Sequence, residues 1–274
     1  MITLINKDEE DKYIIYLSKY NIDLVKNKII TDNILFSDSN RIYVFSLIRN
    51  MSLSTQFLYK LVELIRRVLT NIDKCFNIDS NIPFKFVIQE GLGRFALDND
   101  SHPIILVDTD ICQNEISTNP LVLEAFFFHE FIHFFRNKIH SETMNDEILT
   151  LLGEVLYYPL QSTLVQLTVF INNVKNEATI TLYGETNSGV PNSEKNYYRA
   201  WLYVLKILIL NFTFNDLSTL HQELSKISFE KRLSIFKKYA NQKDISHLKR
   251  EISLSYIKGD EVSFNSFLFD IYKT

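Results

Sequence analysis

Three residues in the segment Phe128–Phe134 have the types and the spacing that metal chemistry requires. His129 and His133 are four positions apart, so on a helix they lie on one face about one turn from each other. In that arrangement they can present two ring nitrogens to a single Zn²⁺. Glu130 follows the first histidine, and its carboxylate can accept a proton from a water held by the metal. The segment therefore predicts a zinc site that activates water.

The surroundings of these residues strengthen the prediction of a metal site. The chain has only six histidines, and this pair lies in its most phenylalanine-rich stretch. Burying two imidazoles and a carboxylate among aromatic rings is costly unless each polar group has a partner, and a metal ion would be such a partner. The alternative is that both histidines are hydrogen-bonded core residues, or exposed ones, on an ordinary packing helix.

The spacing around the second histidine disfavours one class of zinc peptidase, the metzincins. Their pattern has Gly three residues and His six residues after the second histidine, whereas Arg136 and Ile139 occupy those positions here. The next histidine, His140, would lie about 10 Å further along a continuous helix, out of reach of the same ion.

A glutamate on the following helix is the other common third ligand of zinc. The segment Asn145–Glu154 predicts such a helix, with Glu147 and Glu154 seven positions apart on one face. A short turn over Lys138–Met144 would fold this helix back against the first. Glu147 is equally well explained as a charge favoured by the helix dipole in a first turn, and Glu154 is the main competing ligand.

The segment Ile104–Pro159, a fifth of the chain, resembles the gluzincin metallopeptidases. The residues that carry the resemblance are the His-Glu-x-x-His pattern and the downstream Asp-Glu helix, and Glu154 follows Glu147 as a second glutamate does in the aminopeptidase form. The resemblance implies His129, His133 and Glu147 as ligands of one Zn²⁺ and Glu130 as general base. The gap from His133 to Glu147 is shorter than is usual in that family, and Ile148 stands where the aminopeptidases have Gly.

An oxyanion donor and a substrate cleft complete what the resemblance implies. In such enzymes the donor is usually a Tyr or His from the C-terminal part. An extended substrate would pair with an exposed sheet edge before the zinc helix, here Arg94–Leu97 or Ile104–Asp108. The candidate donors, each equally consistent with packing or surface positions, are Tyr197, Tyr198, Tyr203 and His221.

Composition limits the remaining function classes. The 274 residues carry a formal net charge of −4, which argues against a dedicated nucleic-acid binder. Two cysteines make no disulfide framework, and we expect no signal peptide and no membrane span. We therefore predict a soluble, cytoplasmic protein that acts on a peptide or protein substrate, with export by a signal-independent route left open.

The order of predicted elements indicates an α+β fold, and the resemblance to gluzincins implies that this fold is zincin-like. We expect an α/β N-terminal subdomain over residues 1–118, and zinc-site helices with an all-helical C-terminal subdomain over residues 119–274, forming one integrated catalytic unit. The competing hypothesis is a non-catalytic zincin-like protein that binds peptides or regulates a partner. The predicted strands are Tyr13–Leu17, Arg41–Ile48, Phe84–Gln89 and Ile104–Asp108, with a further β or mixed segment near Ile22–Phe36 and a third strand of the later group around Arg94–Leu97. The predicted helices before residue 160 are Leu53–Cys75, one starting at Pro120, and Asn145–Tyr158, and those after it include Leu217–Ile227.

Overall fold

The computed structural model describes residues 2–24, 29–38, 41–49, 53–76, 82–91, 93–97, 102–140, 147–158, 214–228 and 231. The chain divides into two compact units, Met1–Ile139 and His140–Thr274. This division falls 21 residues after the predicted boundary at 118/119, because the helix that begins at Pro120 belongs almost entirely to the first unit.

The first unit contains one mixed sheet and four α-helices among its described residues. The strands are β1 (Ile2–Leu4), β2 (Ile30–Asp38), β3 (Arg41–Ile48), β4 (Phe84–Gln89), β5 (Arg94–Leu97) and β6 (Pro103–Asp108). The helices are α1 (Glu10–Ser18), α2 (Thr55–Cys75), α3 (Thr109–Thr118) and α4 (Pro120–His140), and a 3-10 turn covers Lys7–Glu9.

Six strands form the sheet in the order β1-β2-β3-β4-β6-β5. The three central strands β3, β4 and β6 run parallel, whereas β1, β2 and β5 pair antiparallel with their neighbours. Of the two strands predicted as a substrate edge, β6 is therefore internal, and β5 forms one of the two edges of the described sheet.

Phenylalanine side chains join helix α4 to one face of this sheet. Phe84 of β4 is 1% exposed, and its ring lies 5.1, 5.3 and 5.8 Å from the rings of Phe131, Phe134 and Phe135. Phe86, two residues on and hence on the same face, lies 6.1 Å from Phe127. Burying these rings supplies much of the apolar area that holds the helix in place.

Helix α1 corrects the prediction of a strand at Tyr13–Leu17. Leu17 is buried against the opposite face of the sheet, and Tyr13, Tyr16 and Tyr20 are partly buried beside it, at the i, i+3, i+4 spacing of a helix. Ile14 and Ile15 are exposed instead, at 46% and 72%. The unbroken apolar run of this segment is compatible with a strand, but the acidic residues that precede it suit the first turn of a helix.

Most of the other predicted elements in this unit are confirmed. Strands β3 and β4 have the predicted bounds, β6 begins one residue early, and α2 begins two residues late at Thr55. Ser54 caps α2 as its hydroxyl accepts a hydrogen bond from Phe57 N at 3.1 Å. Two elements, β1 and α3, were not predicted.

The second unit is described at two helices, α5 (Glu147–Tyr157) and α6 (Phe214–Ser225). Both were predicted, α5 within two residues of its bounds, and α6 within three residues of the predicted Leu217–Ile227. Tyr157 of α5 accepts a hydrogen bond from Gln222 of α6 at 3.1 Å, so the two helices pack together. The further helices predicted in this part lie outside the described residues, apart from the helical residue Lys231. They are Tyr197–Leu210, Phe229–Ala240, Ile245–Ile257 and Ser263–Tyr272.

None of the helices in the described ranges is both long enough and apolar enough to cross a bilayer.

The contact between β4 and α4 gives a first prediction. Replacing Phe84 with Ala should lower the free energy of unfolding by about 3–5 kcal/mol, because the cavity removes contacts with three rings of α4. Urea denaturation measures the change. Ile15→Ala, at a position 72% exposed, is the matched control and should stay within about 0.5 kcal/mol. A Phe84→Ala variant as stable as this control would contradict the packing described.

Candidate functional site

Helix α4 carries the candidate site in the middle of its length. It begins at Pro120, which suits the first turn of a helix because its missing N–H would have no partner there. Every residue from Phe127 to Arg136 is buried. His129, Glu130 and His133 are 8%, 4% and 4% exposed, so all three polar side chains need partners inside the protein.

The two imidazoles point their Nε2 atoms at each other. Nε2 of His129 and Nε2 of His133 are 3.1 Å apart, and the ring centroids are 4.8 Å apart. Two nitrogens bound to one tetrahedral Zn²⁺, each about 2.0–2.1 Å from the metal, stand roughly 3.3 Å apart. The spacing of this pair therefore fits two ligands of one zinc ion.

Glu130 is held by the backbone of the outermost strand. Its Oε2 accepts a hydrogen bond from Phe95 N of β5. The ring of Phe95 also lies 6.2 Å from the ring of His133. Phe95 pairs with Ile105, which pairs with Phe86, and this row across the sheet places Phe95 on the face that α4 covers. Strand β5 thus brings a backbone donor to the carboxylate beside the histidine pair.

A tight backbone approach precedes β5. Gly91 has φ 98°, a conformation that favours glycine. A Cβ at Gly93 would stand 2.8 Å from the ring of Phe126 in α4 and 3.3 Å from the carbonyl oxygen of Leu106. Gly93 therefore allows the start of β5 to lie close to helix α4.

Arg136 is a residue of the site that the sequence reasoning missed. It is 1% exposed, and its Nη2 lies 2.9 Å from Nδ1 of His133. The signal was its position three residues after His133, which puts both side chains on one helix face. The sequence does not show, however, which ring nitrogen such a neighbour meets.

The third predicted ligand is not placed by the described residues. Glu147 is the first residue of α5, and its side chain lies outside what the structure describes. Glu154 is 5% exposed on the same helix, in the second unit. Within the described ranges, no three His, Cys, Asp or Glu side chains come together as a metal site would need. The choice between Glu147 and Glu154 stays a prediction.

One of the four candidate oxyanion donors lies in the described part of the chain. His221 is fully buried, its Nε2 lies 3.1 Å from the carbonyl oxygen of Leu149, and its ring lies 6.0 Å from the ring of Tyr157. These contacts join α6 to α5, and the oxyanion role of His221 stays a prediction. Tyr197, Tyr198 and Tyr203 lie outside the described residues.

The two cysteines are buried thiols. Cys75 is 0% and Cys112 is 1% exposed. Burial is the main cause that raises the pKa of the Cys112 thiol to about 12, and the negative charge of Asp108 is the second cause. Because a thiol binds a metal as its thiolate, a Cys112 that stays protonated is a poor ligand.

Comparison of the chain with known protein families, with curated proteins and with solved structures finds no match. The assignment of the candidate site therefore rests on the geometry of its residues.

The thiols give a second prediction. With a pKa of about 12, the thiolate fraction of Cys112 at pH 8 is about a thousandfold below that of an ordinary cysteine, and burial adds a barrier to reagents. A disulfide reagent such as DTNB should therefore react very slowly with the native protein. In denaturant, both thiols should react promptly. Rapid release of one equivalent from the native protein at pH 8 would show that a thiol is accessible.

Proposed function

We propose that this protein is a zinc-dependent, gluzincin-like peptide-bond hydrolase with a zincin-like α+β fold. The observation that carries the proposal is the buried pair of Nε2 atoms, 3.1 Å apart, with Glu130 next to the first histidine on the same helix. The mixed sheet that supports this helix and the outer strand that holds Glu130 are consistent with it.

In the proposed site His129 and His133 bind one Zn²⁺ through Nε2, and Glu147 is the third ligand, with Glu154 as the alternative. Bound zinc would supply a Lewis acid that lowers the pKa of a water towards 7 and polarises a peptide carbonyl. The carboxylate of Glu130 accepts the proton of the attacking water and passes it to the leaving amine. Its hydrogen bond from Phe95 N fixes the orientation in which it does so.

Strand β5 is the proposed docking edge for an extended peptide. The N–H of Phe95 points away from β6, since it donates to Glu130, and the N–H of Leu97 points the same way because alternate residues share a side. No described strand pairs with β5 on that side. A substrate backbone added there by hydrogen bonding would lie beside Glu130, which is the placement that hydrolysis needs.

One observation favours the second candidate function, a peptide-binding or regulatory protein without turnover. The contact of Arg136 with His133 and of His133 with His129 gives both rings hydrogen-bond partners with no metal present. In that case the β5 edge would bind a peptide and Glu130 would have no catalytic role.

Metal content and one conservative substitution separate the two functions. Elemental analysis of the purified full-length chain should give one zinc per molecule, lost in His129→Ala and in His133→Ala. Glu130→Gln should keep zinc and lower the rate of cleavage of a random peptide library by about 10²–10⁴-fold, because it cannot accept the proton. Glu63→Gln, on the exposed surface of α2, is the matched control and should cleave normally.

Three results would count against the enzyme. Zinc bound tightly with no peptide cleaved favours the binding protein, and a chain that takes up no zinc excludes the hydrolase and leaves only peptide binding at β5 to be tested. Cleavage that is equal in Glu130→Gln and in the unaltered protein would remove Glu130 as the base. The third ligand follows from the same measurement on Glu147→Ala and Glu154→Ala, of which the ligand variant should lose the metal.

The docking edge gives a further prediction. Leu97→Pro removes one N–H that points outward while β5 keeps its pairing with β6, since proline is tolerated in an outermost strand. For a peptide identified from the library, KM should rise roughly 2- to 10-fold, the value of one hydrogen bond. Leu97→Ala keeps the N–H and is the matched control. If the two variants have the same KM, the substrate does not pair with this residue.

A further inference from the structure

Arg136 occupies an unusual position beside the histidine pair. It is among the largest fully buried side chains of the described residues, and its Nη2 lies 2.9 Å from Nδ1 of His133. Burying a guanidinium is costly unless specific contacts compensate for it. Its contact with the imidazole of His133 is therefore one of the contacts that compensate for burying the guanidinium.

The contact determines where the proton of His133 lies. A guanidinium has donors and no acceptor, so Nδ1 of His133 must accept the hydrogen bond from Arg136. The neutral ring then carries its proton on Nε2, and that N–H donates to Nε2 of His129 at 3.1 Å. A doubly protonated His133 would set a second N–H against the guanidinium donors. The result is a directed chain of hydrogen bonds from Arg136 through His133 to His129.

A proton on Nε2 of His133 opposes the binding of a metal ion by that atom. Zn²⁺ needs the lone pair of Nε2, so the proton of His133 would have to move to Nδ1, where it would point at the N–H groups of Arg136. Histidine ligands of metals almost always donate their second N–H to a carboxylate, a carbonyl oxygen or water. The positive charge of the guanidinium also acts against a dication on the same ring.

We propose that Arg136 restrains metal loading of the His129–His133 pair, so that zinc enters only when the guanidinium leaves Nδ1 of His133. The inference rests on the proposed zinc site. Without the metal, Arg136 keeps both rings hydrogen-bonded inside the helix. With the metal, Nδ1 of His133 turns from acceptor to donor, and Arg136 must take another position.

Zinc affinity of the full-length chain tests the restraint. In competition with a chromophoric chelator, Arg136→Met and Arg136→Gln should bind zinc about 10- to 100-fold more tightly than the unaltered protein, the usual size of effects on residues that contact a ligand. Gln adds an oxygen that can accept from Nδ1–H. Arg136→Lys keeps a charged donor and should gain much less. Arg66→Met, at an exposed position on α2, is the control and should leave the affinity unchanged.

The outcomes separate the inference from the proposed function. If Arg136→Met binds zinc no more tightly than the unaltered protein, the restraint is excluded while the zinc site stands. If neither the unaltered protein nor any Arg136 variant binds zinc, the zinc site fails and the restraint fails with it.

A second measurement needs no variant at Arg136, in case its loss prevents folding. ¹⁵N NMR of the metal-free protein with labelled histidine should show His133 protonated on Nε2 and unprotonated on Nδ1, with its signals assigned through His133→Gln. Addition of zinc should move the proton to Nδ1. A His133 protonated on Nδ1 before zinc is added would overturn the inference.

Discussion

The requirement that buried polar groups have partners governs the centre of helix α4. Ten consecutive residues, Phe127–Arg136, are buried there, and four of them are His129, Glu130, His133 and Arg136. Each of the four has a specific contact: the imidazoles with each other, the carboxylate with the backbone of β5, and the guanidinium with Nδ1 of His133. Leaving any one of these groups without a partner would cost on the order of 1–3 kcal/mol or more.

The aromatic packing around these groups decides which of them can meet. Phe84 and Phe86 of the parallel strand β4 receive the phenylalanines of α4, and this fixes the helix over one face of the sheet. The antiparallel β5 then lies at the side of the helix, with Phe95 facing His133. The aromatic packing between α4 and the sheet therefore brings the backbone N–H of Phe95 to the carboxylate of Glu130, although neither group takes part in that packing.

Long elements with a clear period could be predicted from the sequence, and relations between elements could not. The 3.6-residue period of α2 and the proline that starts α4 act locally and were interpreted correctly. The run Tyr13–Leu17 is apolar throughout, so it fits the period of a strand as well as that of a helix. Only its packing against β2 and β3 selects the helix. The outermost position of β5 depends on strand order, which no local pattern encodes. The same holds for the hydrogen bond from Phe95 to Glu130.

The role of Arg136 shows what a ligand motif leaves undetermined. The spacing of His129 and His133 puts both rings on one helix face, and a distance of 3.1 Å between their Nε2 atoms fits a shared metal as well as a hydrogen bond between the rings. A metal site and a hydrogen-bonded pair differ in which ring nitrogen of His133 carries the proton, and the partner of Nδ1 controls this. Here that partner is a donor, so a bound metal and the hydrogen-bonded pair require the proton of His133 on different ring nitrogens. In the proposed zinc site, Arg136 would therefore set the affinity for zinc together with the two histidines.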